Sequence, residues 1–205
     1  MASRNHDRAI ALASRYPPAE EALRFYSRIC DFAGTFEELQ TLVRKHGPSA
    51  LSQASRQLDI DSAMERYLNG DGLYGIESFF ARVMLRQKPP ATLDLPPQCG
   101  VLRPEGDGKA LTLVCPLTQT EKPFARGRCY ACGETRTEQI AFYGSEEMPQ
   151  IQMQVCETCG AYLHLIDLEA DPLAVPEADE IAALPLDAWA SEQGYRKVHP
   201  NLIGM

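Results

Sequence analysis

Two short stretches with the same pattern decide the fold of this chain: residues 129–133 read CYACG, and residues 156–160 read CETCG. Each is a C-x-x-C-G motif, and 23 residues separate the two cysteine pairs. A C-x-x-C turn brings its two sulfurs toward one point, and the following glycine lets the backbone reverse tightly. Two such turns at the ends of a hairpin complete a tetrahedral site of four sulfurs. The sequence therefore predicts a metal-bound β-ribbon with four cysteine ligands: Cys129, Cys132, Cys156 and Cys159.

The pattern favours a structural ion over a catalytic one. Four thiolates on one ion leave no open coordination position, so such a site holds shape and performs no chemistry. Zinc and iron both accept four sulfurs, so we expect one zinc or iron ion without a decision between them. The alternative is redox use of a pair, as a dithiol or through bound iron. A thioredoxin-like use is disfavoured because neither pair precedes a helix in a βαβ unit.

Two further cysteines outline another ribbon that lacks half of its ligands. Cys99 ends a similar turn, but Pro96 stands where the first cysteine would be. Cys115 begins one, but Thr118 takes the place of its second cysteine. Because a hydroxyl is a poor substitute for a thiolate at zinc, we expect this segment to be held by packing alone. A shared or intermolecular metal and a reactive cysteine pair are the alternatives.

The first part of the chain has the apolar spacing of helices and ends at a proline-rich linker. Thr35 and Glu38 form a capping-box pattern for a helix that ends near Gly47. The other predicted helices run over 5–14 with Asn5 as cap, from the prolines at 17–18 to Gly34, from Pro48, from Asp59 or Asp61 to Leu68, and over 76–85. Residues 87–97 hold four prolines, which cannot continue a helix.

After the linker, the pattern changes to short extended runs bounded by turn residues. The predicted strands are 110–115, 138–143, 151–155 and 161–167, and a last helix is predicted over 186–193. We expect His164, in the last strand, to be exposed rather than to donate a hydrogen bond to a thiolate. The acidic run Asp167, Glu169 and Asp171 is typical of a solvated edge.

The composition excludes several classes of partner. Among 205 residues, 20 are Lys or Arg and 28 are Asp or Glu, which gives a net charge of -8. This balance argues against binding to nucleic acid and to anionic membranes, which both need clustered cations. No stretch approaches the roughly 20 apolar residues that cross a bilayer, and the N-terminus lacks a secretory pattern. We therefore expect a cytoplasmic protein with reduced cysteines and no membrane insertion.

The order of motifs in the second half resembles the FdhE-type accessory proteins for formate dehydrogenase maturation. Beyond the two C-x-x-C-G motifs, the matching stretches follow in order: Tyr162-Leu163, Ile166-Asp167, Ala174-Val175-Pro176, Leu184-Pro185-Leu186-Asp187, Gly194-Tyr195 and Pro200-Asn201-Leu202. The resemblance covers roughly residues 95 to 205, and the helical first part fits the family only in general character.

The resemblance implies a cytoplasmic accessory, chaperone-like protein that is not an enzyme. Its partner would be the molybdenum- or tungsten-containing catalytic subunit of a formate dehydrogenase or a related molybdoenzyme. Tandem rubredoxin-like ribbons are implied, the second with all four cysteines and the first with only Cys99 and Cys115. This depletion permits a diverged role with a different client enzyme, and self-association is left open.

Together, residues and resemblance predict an α+β fold: a helical N-terminal domain followed by tandem rubredoxin-like or zinc-ribbon β modules and a C-terminal helix. The predicted segments are a helical domain over 1–90, a degenerate first ribbon over 91–127, a four-cysteine ribbon over 128–168, and a tail with a helix over 169–205. The rival functions are a rubredoxin-like redox or sulfur-handling protein and, more weakly, a nucleic-acid-binding zinc ribbon. No motif for a catalytic site is found.

Overall fold

The computed structural model describes residues 3–91 and 94–204, which form eight α-helices and a seven-stranded sheet. The predicted α+β class is confirmed. Six helices come first: α1 (Arg4–Arg15), α2 (Glu20–Ile29), α3 (Phe36–His46), α4 (Ser49–Ala54), α5 (Ile60–Leu68) and α6 (Ile76–Gln87). Two more, α7 (Pro176–Ala182) and α8 (Leu184–Glu192), follow the main strands.

The helix starts follow local side-chain chemistry. The predicted capping box of α3 is confirmed, because the Glu38 N–H donates to Thr35 Oγ1 and the Thr35 N–H donates to the Glu38 carboxylate. Asp59, and not Asp61, caps α5. The expected cap of α1 was wrong, since Ser3 accepts from the His6 N–H and occupies that position.

The sheet contains two antiparallel units joined by one parallel pair. Its strands are β1 (Cys99–Glu105), β2 (Gly108–Val114), β3 (Glu121–Phe124), β4 (Ile140–Ser145), β5 (Met148–Cys156), β6 (Ala161–Asp167) and β7 (Arg196–Lys197). The order is β3-β2-β1-β6-β5-β4, with β7 beside β6. A β-carbon at Gly100 would lie 2.6 Å from a Leu165 methyl, so glycine permits the close approach of β1 to β6.

The largest apolar cluster draws on every part of the chain. It contains Leu12 of α1, Phe79 of α6, Val101 of β1, Ile166 of β6 and Ile181 of α7, each no more than 2% exposed. The helical part therefore packs against the sheet through shared apolar contacts. The predicted division into four segments stays a prediction. Residues 92 and 93 of the predicted linker lie outside the described residues.

Helix α7 carries three buried acids that bind cations from separate elements. Arg8 of α1 donates to Asp179 at 2.9 Å, and Arg86 of α6 donates to Glu177 at 2.9 Å. Lys197 of β7 lies 3.1 Å from Glu180. Buried charges are tolerated when they are paired and hydrogen-bonded, and here the pairs connect α7 to both the helical part and the sheet.

Within the described ranges, no helix has the length and apolar character required to span a membrane.

Candidate metal centre

The four predicted ligands lie on the turns at one end of the β4–β5 hairpin. Cys129 and Cys132 occupy the loop before β4, Cys156 is the last residue of β5, and Cys159 lies in the turn to β6. Ile140 pairs with Cys156 across the hairpin and packs against the cysteines. The strands thus fix the separation of the two turns.

Both turns use glycine in the left-handed region, as their sequences predict. Gly133 has φ of 78° and Gly160 has φ of 70°. Their N–H groups donate to the carbonyl oxygens of Cys129 at 3.1 Å and Cys156 at 2.8 Å, which closes each turn. A side chain at these backbone angles would be strained, so glycine is the residue that suits them.

The sulfur geometry fits coordination of one ion. All four Sγ atoms lie within 4.8 Å of one another. The pairs Cys129–Cys159 and Cys132–Cys156 are each separated by 3.7 Å. Sulfurs at about 2.3 Å from a central ion are about 3.8 Å apart in a tetrahedron, whereas a disulfide requires about 2.05 Å. The quartet could therefore hold a metal ion, and its spacing does not suit disulfide bonds.

The surroundings of the sulfurs shift the pKa values of the cysteine thiols in different directions. Burial, followed by the neighbouring sulfurs, raises the pKa of Cys159 to about 12, and burial raises the pKa of Cys129. Burial acts to raise the pKa of Cys156, but hydrogen bonds from the Cys159 N–H, from the neighbouring Cys132 and Cys129 and from the Thr158 N–H together leave it lowered. Four adjacent thiolates repel one another, so full deprotonation requires a cation among them.

One side of the quartet faces solvent. Cys129 and Cys156 are buried, Cys159 is half-buried and Cys132 is exposed. The ion would sit near the surface, but four sulfurs would complete its tetrahedral coordination and leave no position for a substrate. This arrangement is suited to holding the turns together.

A polar bridge between the two turns was missed by sequence reasoning. The Glu134 carboxylate accepts hydrogen bonds from Arg136 and, at 2.8 Å, from the Thr158 hydroxyl of the opposite turn. The Arg136 side chain is the largest cause that holds the pKa of Glu134 below its usual range. The Glu134 carbonyl also accepts from the Cys129 N–H at 2.8 Å. Glu134 directly follows the first C-x-x-C-G motif, and this position is the feature of the sequence that could have indicated the bridge.

In its described residues, the depleted first ribbon has no comparable cluster. Cys99 is buried in β1, where burial raises the pKa of its thiol well above the usual value. Cys115 is half-buried just after β2, and the Thr118 hydroxyl hydrogen-bonds to Thr120 at 2.8 Å. Among residues 3–91 and 94–204, the quartet is the one group of three or more Cys, His, Asp or Glu with metal-binding geometry. That packing alone holds the first ribbon stays a prediction.

The expectation for His164 was wrong. Its side chain is fully buried, with Nε2 3.3 Å from the Asp187 carboxylate, and it faces α8 rather than solvent. Burial lowers its pKa to about 4. The acidic run also differs from a solvated edge, because Asp167 is buried and binds Lys109 at 2.5 Å, and Asp171 binds Arg8 at 2.6 Å.

The four-cysteine part of the chain is similar in sequence to known proteins. Residues 128–203 match a family model described as the C-terminal domain of FdhE. This segment is similar to the FdhE family. The sequence is 38% identical over 92 residues to a protein FdhE homolog of Aquifex aeolicus, which is 45% of this chain and 32% of that protein. It is 35% identical over 111 residues to one of Stutzerimonas stutzeri, 53% of this chain and 35% of that protein.

The FdhE fold extends over the helical part as well. The structure is similar to the crystal structure of the FdhE protein from Pseudomonas aeruginosa, with a TM-score of 0.66 and 19% sequence identity. That match covers 98% of this chain and 94% of the other. By sequence, the chain spans about a third of the length of the curated FdhE relatives it matches. The sequence likeness is therefore concentrated around the cysteine quartet.

Proposed function

We propose that this protein is an accessory, chaperone-like factor that binds the catalytic subunit of a formate dehydrogenase, or of a related molybdoenzyme, during its maturation. The observation that carries the proposal is the FdhE family match over the segment that contains the quartet. The whole-chain similarity to an FdhE crystal structure supports it. We propose the cytoplasm as its compartment, which is what the resemblance to FdhE-type accessory proteins implies.

The quartet is proposed to bind one zinc or iron ion as a structural centre. Cys129 and Cys132 would hold the ion from one turn, and Cys156 and Cys159 from the other. The ion would supply the positive charge that four thiolates need. With its coordination complete, the site supports a binding platform rather than catalysis, which is why we propose a protein without enzymatic activity.

Affinity capture at native expression tests the client. The tagged chain, captured from cells that make a respiratory formate dehydrogenase, should retain the catalytic subunit of a molybdoenzyme, identified by mass spectrometry. A tagged Cys156→Ser variant should lose it, because the two turns would separate. Captured material without any molybdoenzyme subunit would contradict the proposed function.

A rubredoxin-like redox role is the second candidate, and the exposure of Cys132 favours it. An iron with one ligand at the surface could exchange electrons with a partner protein. Bound iron would give a visible spectrum that changes reversibly on reduction, whereas zinc gives none. Elemental analysis per chain should find one ion, and two ions would mean that the first ribbon also binds metal.

A further inference from the structure

The two edges of the sheet differ in how well they are protected against pairing with another chain. An edge strand presents unpaired N–H and C=O groups, and charges or proline on that strand discourage addition of a further strand. At one edge, β3 reads EKPF and carries two charges and Pro123. At the other edge, β4 reads IAFYGS and has neither a charge nor a proline.

The outer side of β4 is available for hydrogen bonding. The strand pairs with β5 on its inner side. In the part of the chain that the structure describes, no backbone–backbone hydrogen bond joins its outer edge to another segment. Phe142, near its centre, is 52% exposed. An extended segment from another protein could therefore add to β4, with backbone hydrogen bonds for affinity and Phe142 as an apolar contact.

The charges around β4 specify the partner. Glu138 precedes the strand, and Glu146 and Glu147 follow it directly. All three are exposed, and none has a cation within ion-pair distance among the described residues. A strand laid along β4 would thus have carboxylates at both of its ends, which favours Lys or Arg on either side of its apolar centre.

The same charges disfavour a second copy of this chain. In an antiparallel pair centred on Phe142, Glu138 of one chain would lie opposite Glu146 of the other at both ends. Like charges directly opposite one another destabilise a strand pair. The edge is therefore better suited to a different protein.

We propose that β4 is a docking strand for an extended segment of the client protein, apolar at its centre and flanked by basic residues. This inference rests on the proposed function, because it identifies where the client subunit binds. The interaction adds an eighth strand to the sheet beside β4.

Binding of synthetic peptides to the metal-loaded full chain tests the strand. A nine-residue peptide with alternating Val and Thr at its centre and Lys-Arg at each end should bind and slow amide hydrogen exchange in residues 141–145, measured by NMR. The same peptide with Glu at the ends should bind about tenfold more weakly, and one with a central proline should not bind. Protection elsewhere, dimerisation through β4, or no binding by the basic peptide would overturn the proposal.

Charge reversal supplies the matched variants. The triple variant Glu138→Lys, Glu146→Lys and Glu147→Lys should prefer the acidic peptide. A control with the same change in charge on distant exposed acids, Glu21→Lys, Glu65→Lys and Asp71→Lys, should retain the preference for the basic peptide. Unchanged preference in the first variant would overturn the proposal.

Client capture separates this inference from the proposed function. If the wild-type chain retains the catalytic subunit and the β4 triple variant retains it equally well, the docking strand is wrong while the function stands. If the wild-type chain retains no molybdoenzyme subunit, the proposed function fails, and the peptide measurements still decide whether β4 accepts a basic-flanked strand.

Discussion

At the residue scale, Cys156 serves both the sheet and the proposed ion. It ends β5, pairs with Ile140 and is buried, while its sulfur lies 3.7 Å from that of Cys132. Loss of this thiol would leave three ligands and a polar group in a well-packed position. The site and the hairpin therefore depend on the same side chain.

We expect Cys156→Ser to lose the bound ion and several kcal/mol of stability, since structural zinc contributes about 10–16 kcal/mol in zinc-finger peptides. Metal content per chain and the free energy of unfolding in urea measure the effect. Cys115→Ser, outside the quartet, should keep one ion per chain. A Cys156→Ser protein with its full ion content would contradict the assignment of ligands.

His164 predicts a specific pH dependence of stability. Its pKa falls from 6.5 to about 4 because of burial, although Asp187 opposes the shift. Between these values the unfolded chain binds more protons at this residue than the folded chain does. Its contribution is therefore present above pH 6.5 and is lost as the pH falls toward 4, by up to about 3 kcal/mol.

His164→Gln should accordingly flatten the fall in unfolding free energy between pH 6.5 and pH 4 relative to the wild-type protein. Urea unfolding at a series of pH values gives the two slopes. The matched control is His6→Gln, at a half-buried histidine of α1, and it should follow the wild-type slope. Equal slopes for His164→Gln and the wild-type protein would show that this histidine does not titrate differently on unfolding.

At the element scale, α7 joins the helical part to the sheet through ion pairs as well as apolar contacts. Glu177, 1% exposed, accepts from Arg86, and from Tyr26 of α2 at 2.8 Å. Arg82 is also fully buried beside it, at 4.0 Å. Removal of one member of a buried group leaves its partners charged and without compensation.

We expect Glu177→Gln to reduce the free energy of unfolding by about 3–5 kcal/mol, the usual cost of breaking a buried ion pair. The matched control is Glu20→Gln, which removes an exposed pair with Arg24 and should change stability by less than about 1 kcal/mol. Urea unfolding of both variants measures the difference. If both variants lose less than about 1 kcal/mol of unfolding free energy, the buried pair contributes little to holding α7 against the helical part.

The sequence predicted elements whose signals are local. The capping box of α3, the cap of α5 and the strands that became β2, β4, β5 and β6 each depend on residues close together in the chain. The structure adds β1, β3, β7 and α7, which the sequence did not reveal. Helix α7 is short, and the cations that pair with its buried acids come from α1, α6 and β7, which are distant in sequence.

For the candidate site, too, the sequence predicted what depends on local motifs and not what depends on tertiary contacts. Two C-x-x-C-G motifs were enough to predict that their four cysteines lie close together, and the structure brings all four together. The Glu134–Thr158 bridge and the burial of His164 depend on how β6, α8 and the two turns pack. Such contacts follow from tertiary structure, which periodicity does not contain.

At the scale of the whole molecule, the shared apolar cluster predicts cooperative unfolding. Trp189, the single tryptophan, packs against Tyr143 of β4 at 4.8 Å between ring centres and so reports on the hairpin side of the sheet. Far-ultraviolet circular dichroism reports chiefly on the helices. We expect both signals to change at the same urea concentration, before and after metal removal, with a lower midpoint for the metal-free protein. Separate midpoints would show that the helical part and the sheet fold independently.

The parallel pairing of β1 with β6 can form only late in the synthesis of the chain. Gly100 of β1 pairs with Leu165, and Arg8 of α1 forms ion pairs with Asp171 and Asp179. During translation the first helix and the first hairpin therefore leave the ribosome well before these partners have been synthesised. Contacts so far apart in the chain slow folding and leave nascent apolar surface uncovered for longer. In a nascent chain these contacts therefore cannot form until residues up to Asp179 have been translated.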